Sequence, residues 1–135
     1  MGLFPNPIDL RFSIEGEPQG KGRPRFGNGH AYTPEKTRQY EAIIQWSAKQ
    51  AGAVIRDGAV FLEITAYFKL PLRTKLQPGS PALKKPDWDN IGKIFSDALQ
   101  GIAYRDDTQV FPAVVTKLYA EHPRVDVLVR YADDL

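Results

Sequence analysis

The chain has no cysteine. That excludes disulfides and thiolate-bound metals, and it is compatible with a cytoplasmic protein. Histidine is nearly as scarce. His30 and His122 lack the spacing of a metal-ligating pair, and neither is assigned a role. No apolar run is long enough to span a bilayer, and Met1-Gly2-Leu3-Phe4-Pro5 lacks a secretory-signal pattern, so no membrane association is expected. A strong charge of one sign is missing too: 18 Lys and Arg against 16 Asp and Glu leave a net +2. Total charge therefore diagnoses nothing, and the distribution of charge becomes the question. With 135 residues, 42% of them hydrophobic, the chain can bury a core of its own and reads as one domain over 1–135.

Acid is absent from two long stretches. Residues 18–32 carry Lys21, Arg23 and Arg25 and no Asp or Glu. Residues 70–86 carry Arg73, Lys75, Lys84 and Lys85, again with no acid. Both are rich in Gly or Pro and so read as loops. Either alone could be a solvated face. Two such loops in a chain that otherwise balances its charges point to a polyanionic partner, contacted by these seven cations.

Periodicity supplies the architecture. Leu10, Phe12 and Ile14 alternate with polar residues, as on a half-buried strand. Thr33 as N-cap, Pro34 at the first helical position and Glu35 in the first turn start a helix. Its expected inner face is Tyr40, Ile43, Ile44, Ser47, Ala48 and Ala51, and Gly52 ends it. Val60, Leu62, Ile64, Ala66 and Phe68 alternate as a second strand, and Pro71, Pro78 and Pro81 then break the chain. A second helix follows Pro86, with Ile91, Ile94, Phe95, Ala98 and Leu99 on one arc and Gly101 as its cap. A third strand runs through Val110, Val114, Val115 and Leu118. A turn at Glu121-His122-Pro123 leads to a fourth at Val125, Val127, Val129 and Tyr131. The order β-α-β-α-β-β predicts an α/β (α+β) fold, a small mixed four-stranded sheet with two helices packed on it. Ala132 to Leu135 read as a frayed tail.

The second helix carries the chemistry. Asp87 and Asp89 stand at its start. Asp89, Lys93 and Asp97 share its polar arc, each four residues from the next, and Asp106-Asp107 follow its end. Crowded carboxylates repel unless a cation lies between them. Hard oxygen donors without Cys or His select Mg²⁺, with Mn²⁺ as the alternative ion. Such an ion beside basic loops suggests phosphate chemistry on nucleic acid. Each part also has an ordinary explanation: Asp87 or Asp89 as a helix cap, Lys93 in exposed i,i+4 pairs, and Asp106-Asp107-Thr108 as a simple turn.

The combination is more specific than its parts. Pro86-Asp87-Trp88-Asp89-Asn90-Ile91-Gly92-Lys93, then Asp97-Ala98-Leu99, then Asp106-Asp107-Thr108-Gln109-Val110, resembles the signature of the RusA-type Holliday-junction resolvases, which phages and prophages often carry. Gly20-Lys21-Gly22-Arg23-Pro24-Arg25-Phe26 with His30-Ala31-Tyr32-Thr33-Pro34 is similar to the N-terminal segment of phage-type members. The resemblance covers most of the chain. It implies a Mg²⁺-dependent crossover junction endodeoxyribonuclease of DNA recombination and repair. In it Asp87, Asp89 and Asp107 are the essential acids and metal ligands, and Lys93 is the essential base-type residue. Asp106 is a further acid at the site, Asp97 a partner for Lys93, and Asn90 a support for the helix start. Trp88 departs from the pattern, where a smaller aliphatic residue is usual. It is tolerable if its side chain points away from the metal. Gly92 is a poor helix former and loosens the helix before Lys93.

The resemblance also implies a homodimer, since a four-way junction is two-fold symmetric and its resolution needs paired cuts. Tyr32, Phe26 and Trp46 are candidates for stacking at an opened junction, with packing the stronger expectation for Trp46. One question of geometry stays open. The helix is about 18 Å long, and the chain from Gly101 to Asp107 reaches about 20 Å. Asp107 therefore rejoins the start of its own helix only by running straight back, or else it serves a partner subunit. Two other functions are compatible with the carboxylates: a junction-binding protein that does not cut, and a phosphatase or nucleotide hydrolase. The first would need a lost acid or lysine, and the second does not need so much basic surface.

Overall fold

Apolar alternation becomes one-sided burial in the computed structural model, which describes residues 8–132. Met1-Gly2-Leu3-Phe4-Pro5 and residues 133–135 of the expected tail lie outside the described residues. Ala132 does not fray: it closes the last strand and is buried. In β1 (Ile8–Glu15), β4 (Ala59–Lys69) and β6 (Arg124–Ala132), alternate side chains enter the core and the others face outward. Two short strands, β2 (Arg25–Gly27) and β3 (His30–Tyr32), precede β4 and pair only with each other. With β5 (Val110–Ala120), the main sheet has the order β1-β6-β4-β5. β4 and β5 are parallel, and the remaining pairs are antiparallel. This is the mixed four-stranded sheet expected, with the β2–β3 hairpin added inside the first basic loop.

Two helices cover one face of the sheet. α1 (Glu35–Gln50) lies against β1, and α2 (Trp88–Leu99) lies against β5 and α1. The two helices meet at Tyr40 and Phe95, whose rings are edge to face at 5.9 Å. The parallel β4–β5 pairing requires a crossover, and α2 sits within it. All five apolar residues expected on α2 are buried. α1 departs from its reading. Pro34 has ψ 144° and is itself the N-cap, so the helix begins one residue later and Thr33 does not cap it. Its buried stripe is Thr37, Tyr40, Ile44 and Ala48, while Ile43 is half exposed. At its far end Gly52 has φ 99°, its N–H donates to Lys49 O, and Ala53 N–H donates to Ala48 O. That is a Schellman stop, available to glycine at no steric cost.

β5 is irregular where it begins. Its register against β4 shifts between Val60 and Leu62, so that Phe111 and Pro112 together oppose Phe61. A bulge is where a strand accommodates proline. Farther on, the second basic loop lies along the outer edge of β5. Gly79 N–H donates to Tyr119 O at 2.8 Å, Tyr119 N–H to Ser80 O at 2.8 Å, and Ala82 N–H to Lys117 O at 3.0 Å. The loop is thus anchored to the sheet immediately before Lys84, Lys85 and α2. No helix among the described residues is long and apolar enough to cross a membrane.

Phe95 joins both helices to the sheet and is fully buried. Phe95→Ala should cost about 3–5 kcal/mol, measured by urea unfolding. A loss below about 1 kcal/mol would mean that the helix pair does not depend on this residue.

Candidate metal centre and nucleic-acid interface

The start of α2 presents two carboxylates with no internal partner among the described residues. Asp87 is the N-cap by backbone geometry, with φ −69° and ψ 156°, and its carbonyl accepts from Ile91 N–H at 3.1 Å. Its side chain makes no capping hydrogen bond, so the ordinary explanation for this acid does not hold. Asp89 lies in the first turn. Among the described residues neither carboxylate forms an ion pair or a side-chain hydrogen bond. Both are exposed, near the positive end of the helix dipole.

The chain then turns back beside α2. Tyr104 is fully buried, and its hydroxyl donates to Ser96 O at 2.7 Å. Burial first, then the nearby charges of Asp107 and Asp97, push its phenol far above the usual range. Asp106, Asp107, Thr108 and Gln109 form a single 3-10 turn with a capping box. Asp106 accepts from Thr108 N–H at 2.9 Å, and that bond holds its carboxyl below the usual range. Asp107 N–H donates to Gln100 Oε1 at 3.1 Å.

Gln109 organises this turn, a role that sequence reasoning does not assign. Its Oε1 accepts from Arg105 N–H at 2.8 Å and Asp106 N–H at 3.0 Å. Its Nε2 donates to Arg56 O and Gly58 O, each at 2.8 Å. One amide therefore ties the turn to the approach of β4. The signal is present as Asp-x-x-Gln, the spacing of a capping box.

Asp107 faces the same side of the molecule as α2's polar arc. Asp89, Lys93, Asp97 and Asp107 of one chain line a single cavity of about 350 Å³ between α2 and β5. Gly92 lines it as well, and a Cβ there would meet Val115 Cγ2 at 3.4 Å. Trp88, 65% exposed, also lines this cavity. The carboxylates are strung along it, because Asp89 and Asp97 are separated by about 12 Å of helix rise. Accordingly, no three acids among the described residues are close enough together to enclose an ion. The donor set of hard oxygens still suits Mg²⁺, which keeps several waters and does not need an all-protein cage.

Asp87 lines a second, larger concavity of about 790 Å³, together with Arg23, Arg25, Lys36 and Lys85. This groove brings both basic loops to the start of α2. Lys36 is not among the cations expected from the sequence. Arg73, Lys75 and Lys84 are exposed but do not line the groove. Lys84 lies 5.8 Å from the ring of Phe68. Lys21 lines the groove as well, but its Nζ is turned toward Glu41 and Asp97. Asp97 is also 3.7 Å from Lys93, as expected of a partner. The backbone carbonyl of Asn90 accepts from Lys21 N–H at 3.0 Å and so ties the first basic loop to α2. Phe26 and Tyr32 are exposed on the β2–β3 hairpin, and Trp46 is exposed on α1.

A cavity lined by carboxylates and a lysine thus lies beside a basic groove, and comparison with known proteins supplies the family. The family described as Endodeoxyribonuclease RusA matches residues 15–130, a span that includes every residue named above at the cavity and the groove, and the chain belongs to that family. It is also similar to an uncharacterized protein, YqaN, of Bacillus subtilis (strain 168), with 33% identity covering 90% of this chain and 95% of that protein.

Gln109→Glu preserves size but sets a carboxylate against two carbonyls. It should lower stability by about 1–3 kcal/mol, read by urea unfolding. A change under about 0.5 kcal/mol would show that the turn is held without the amide.

Proposed function

We propose that the protein is a Mg²⁺-dependent, structure-specific endodeoxyribonuclease that resolves four-way DNA junctions by paired cuts in recombination and repair. Mn²⁺ is the alternative ion, and the cytoplasm is the expected setting. The observation that carries this reading is the placement of Asp89, Lys93 and Asp107 in one cavity, beside a basic groove that ends at Asp87. Family membership supplies the reaction class.

Asp87, Asp89 and Asp107 are the residues that would hold the ion. When bound, the ion supplies an activated water and stabilises charge on the phosphate. Lys93, exposed on the cavity wall, contributes a compact positive charge at the phosphate. Asp106 serves the turn that carries Asp107. Arg23, Arg25, Lys36 and Lys85 hold the DNA backbone in the groove, with Arg73, Lys75 and Lys84 as outlying cations. Two copies related by a two-fold axis would set two such sites on opposing strands. Placement of Asp107 in the cavity that Asp89 and Lys93 of its own chain line supports a site in which the acid is not donated by a partner.

A synthetic four-way junction, a linear duplex and a free nucleotide, each with and without Mg²⁺, form the direct test. Junction-selective, Mg²⁺-dependent nicking is expected. Binding without cutting would instead indicate a junction-binding protein, and turnover of the nucleotide would indicate a hydrolase of small substrates.

Single changes of Asp87, Asp89 or Asp107 to Asn should abolish cleavage while leaving the fold and junction binding in place. Lys93→Ala and Lys93→Arg should each slow single-turnover cleavage by about 10²–10³-fold with the melting temperature unchanged. Near-parental cutting by Asp89→Asn or Lys93→Ala would overturn the assignment at that position.

Neutralising Arg23 with Arg25, or Lys84 with Lys85, should weaken binding and flatten its salt dependence by about 0.9 for each phosphate that is no longer neutralised. An unchanged slope in gel-shift titrations would remove these loops from the DNA interface.

A further inference from the structure

The first basic loop carries three cations, and they do not face the same way. Arg23 and Arg25 are exposed, whereas the Lys21 side chain is 20% exposed. Its Nζ lies 3.2 Å from Glu41 Oε2 on α1 and 3.2 Å from Asp97 Oδ2 on α2. Burial pulls the ammonium's pKa down, but the bonds to Glu41 and Asp97 outweigh it, and the net direction is up. This lysine is a charge held between two helices.

The residues on either side explain how it gets there. A Cβ at Gly20 would come within 2.9 Å of both Asn90 Cβ and Pro86 Cβ. A Cβ at Gly22 would come within 2.5 Å of Thr37 Oγ1, which accepts from Gly22 N–H at 3.1 Å. Only bare backbone fits at both positions. The Gly-Lys-Gly run is therefore shaped to seat Lys21 on the helix pair, with its own N–H bound to Asn90 O.

Asp97 Oδ2 also faces Lys93, at 3.7 Å. Two lysines share one carboxylate oxygen, and they hold it unequally. Lys21 is closer, partly buried and fixed through its backbone. Lys93 is farther away, 63% exposed and screened by water. Glu41, Lys21, Asp97 and Lys93 form a line of alternating charge that ends at the cavity.

We infer that Lys21 is a positioning residue for Lys93. By satisfying Asp97 it prevents the i,i+4 pair on α2 from capturing the Lys93 ammonium, which stays free for the substrate phosphate. This rests on the proposed nuclease reading for the role of Lys93. It assigns the Lys21 ammonium to Glu41 and Asp97 at the base of the groove rather than to DNA.

Lys21→Met alone would leave Glu41 and Asp97 facing each other and could unfold the region, so the decisive comparison uses two double variants. Lys21→Met/Glu41→Gln and Lys21→Met/Asp97→Asn carry the same net charge and remove the same buried cation. Only the first leaves Asp97 to capture Lys93. It should cleave the junction at saturating enzyme, in single turnover, about tenfold or more slowly than the second. Both should keep the parental salt slope of junction binding. Equal cleavage rates in the two variants, or a slope reduced by about 0.9, would overturn the inference.

A readout without DNA or metal separates this claim from the activity. The rate at which acetic anhydride modifies Lys93, followed by mass spectrometry, should be lower in the Glu41 double variant than in the Asp97 double variant. Equal rates would overturn the positioning role. Absence of junction cleavage by the parent protein would instead overturn the proposed function, while the ordering of acetylation rates would still decide where Lys21 acts.

Discussion

Carboxylates repel, and this chain holds several of them beside one helix. Asp87 and Asp89 are carried by the start of α2, whose apolar arc is fixed in the core by Ile91, Ile94 and Phe95. Asp107 arrives from the other side on a turn locked by Gln109 and Gln100. The helix and the turn that carry these charges are therefore held by packing and amide hydrogen bonds remote from the carboxylates themselves. Asp87 and Asp89 are then left without partners among the described residues, which is the state in which acids compete well for a hard cation. Positive charge is supplied close by but kept apart, on the groove wall and at Lys93.

The basic loops work through their anchors more than through their composition. Segment 18–24 lies on the helix pair because two glycines allow the backbone to approach α1 and α2 closely. Segment 79–82 is stitched to β5. Arg23 and Arg25 from the first loop and Lys85 from the second thus stand near the start of α2 on anchored backbone, with less conformational freedom than free loops would have.

Much of this is legible in the residues, for physical reasons that differ by element. Strict alternation in β4 and β6 and the five-residue arc of α2 reflect burial, and burial leaves a clear period. The β2–β3 hairpin buries nothing, so no period announces it within a Gly-rich stretch. Apolar character predicts Ile43 inside, yet docking against β1 and α2 rotates α1 so that Thr37 takes the inner position. Among the site residues, the aspartates and Lys93 are visible from spacing. Whether Asp107 can reach its own helix is not, since the reach of an extended segment nearly equals the length of the helix. Charge counting also cannot show that Lys21 faces inward while Arg23 and Arg25 face outward. Sign is written in the sequence, and direction is written only in the packing.

The bulge at Phe111-Pro112 and the loop paired along residues 117–119 act together on one margin of the sheet. An incoming strand from another molecule would find part of that margin occupied, and the rest would contain a residue with no N–H to offer. At the opposite margin, β1 sets Asp9, Arg11 and Glu15 along its outer run, and charges there discourage a neutral strand from zipping on. The sheet is thereby protected against lateral growth into a polymer by two unrelated devices.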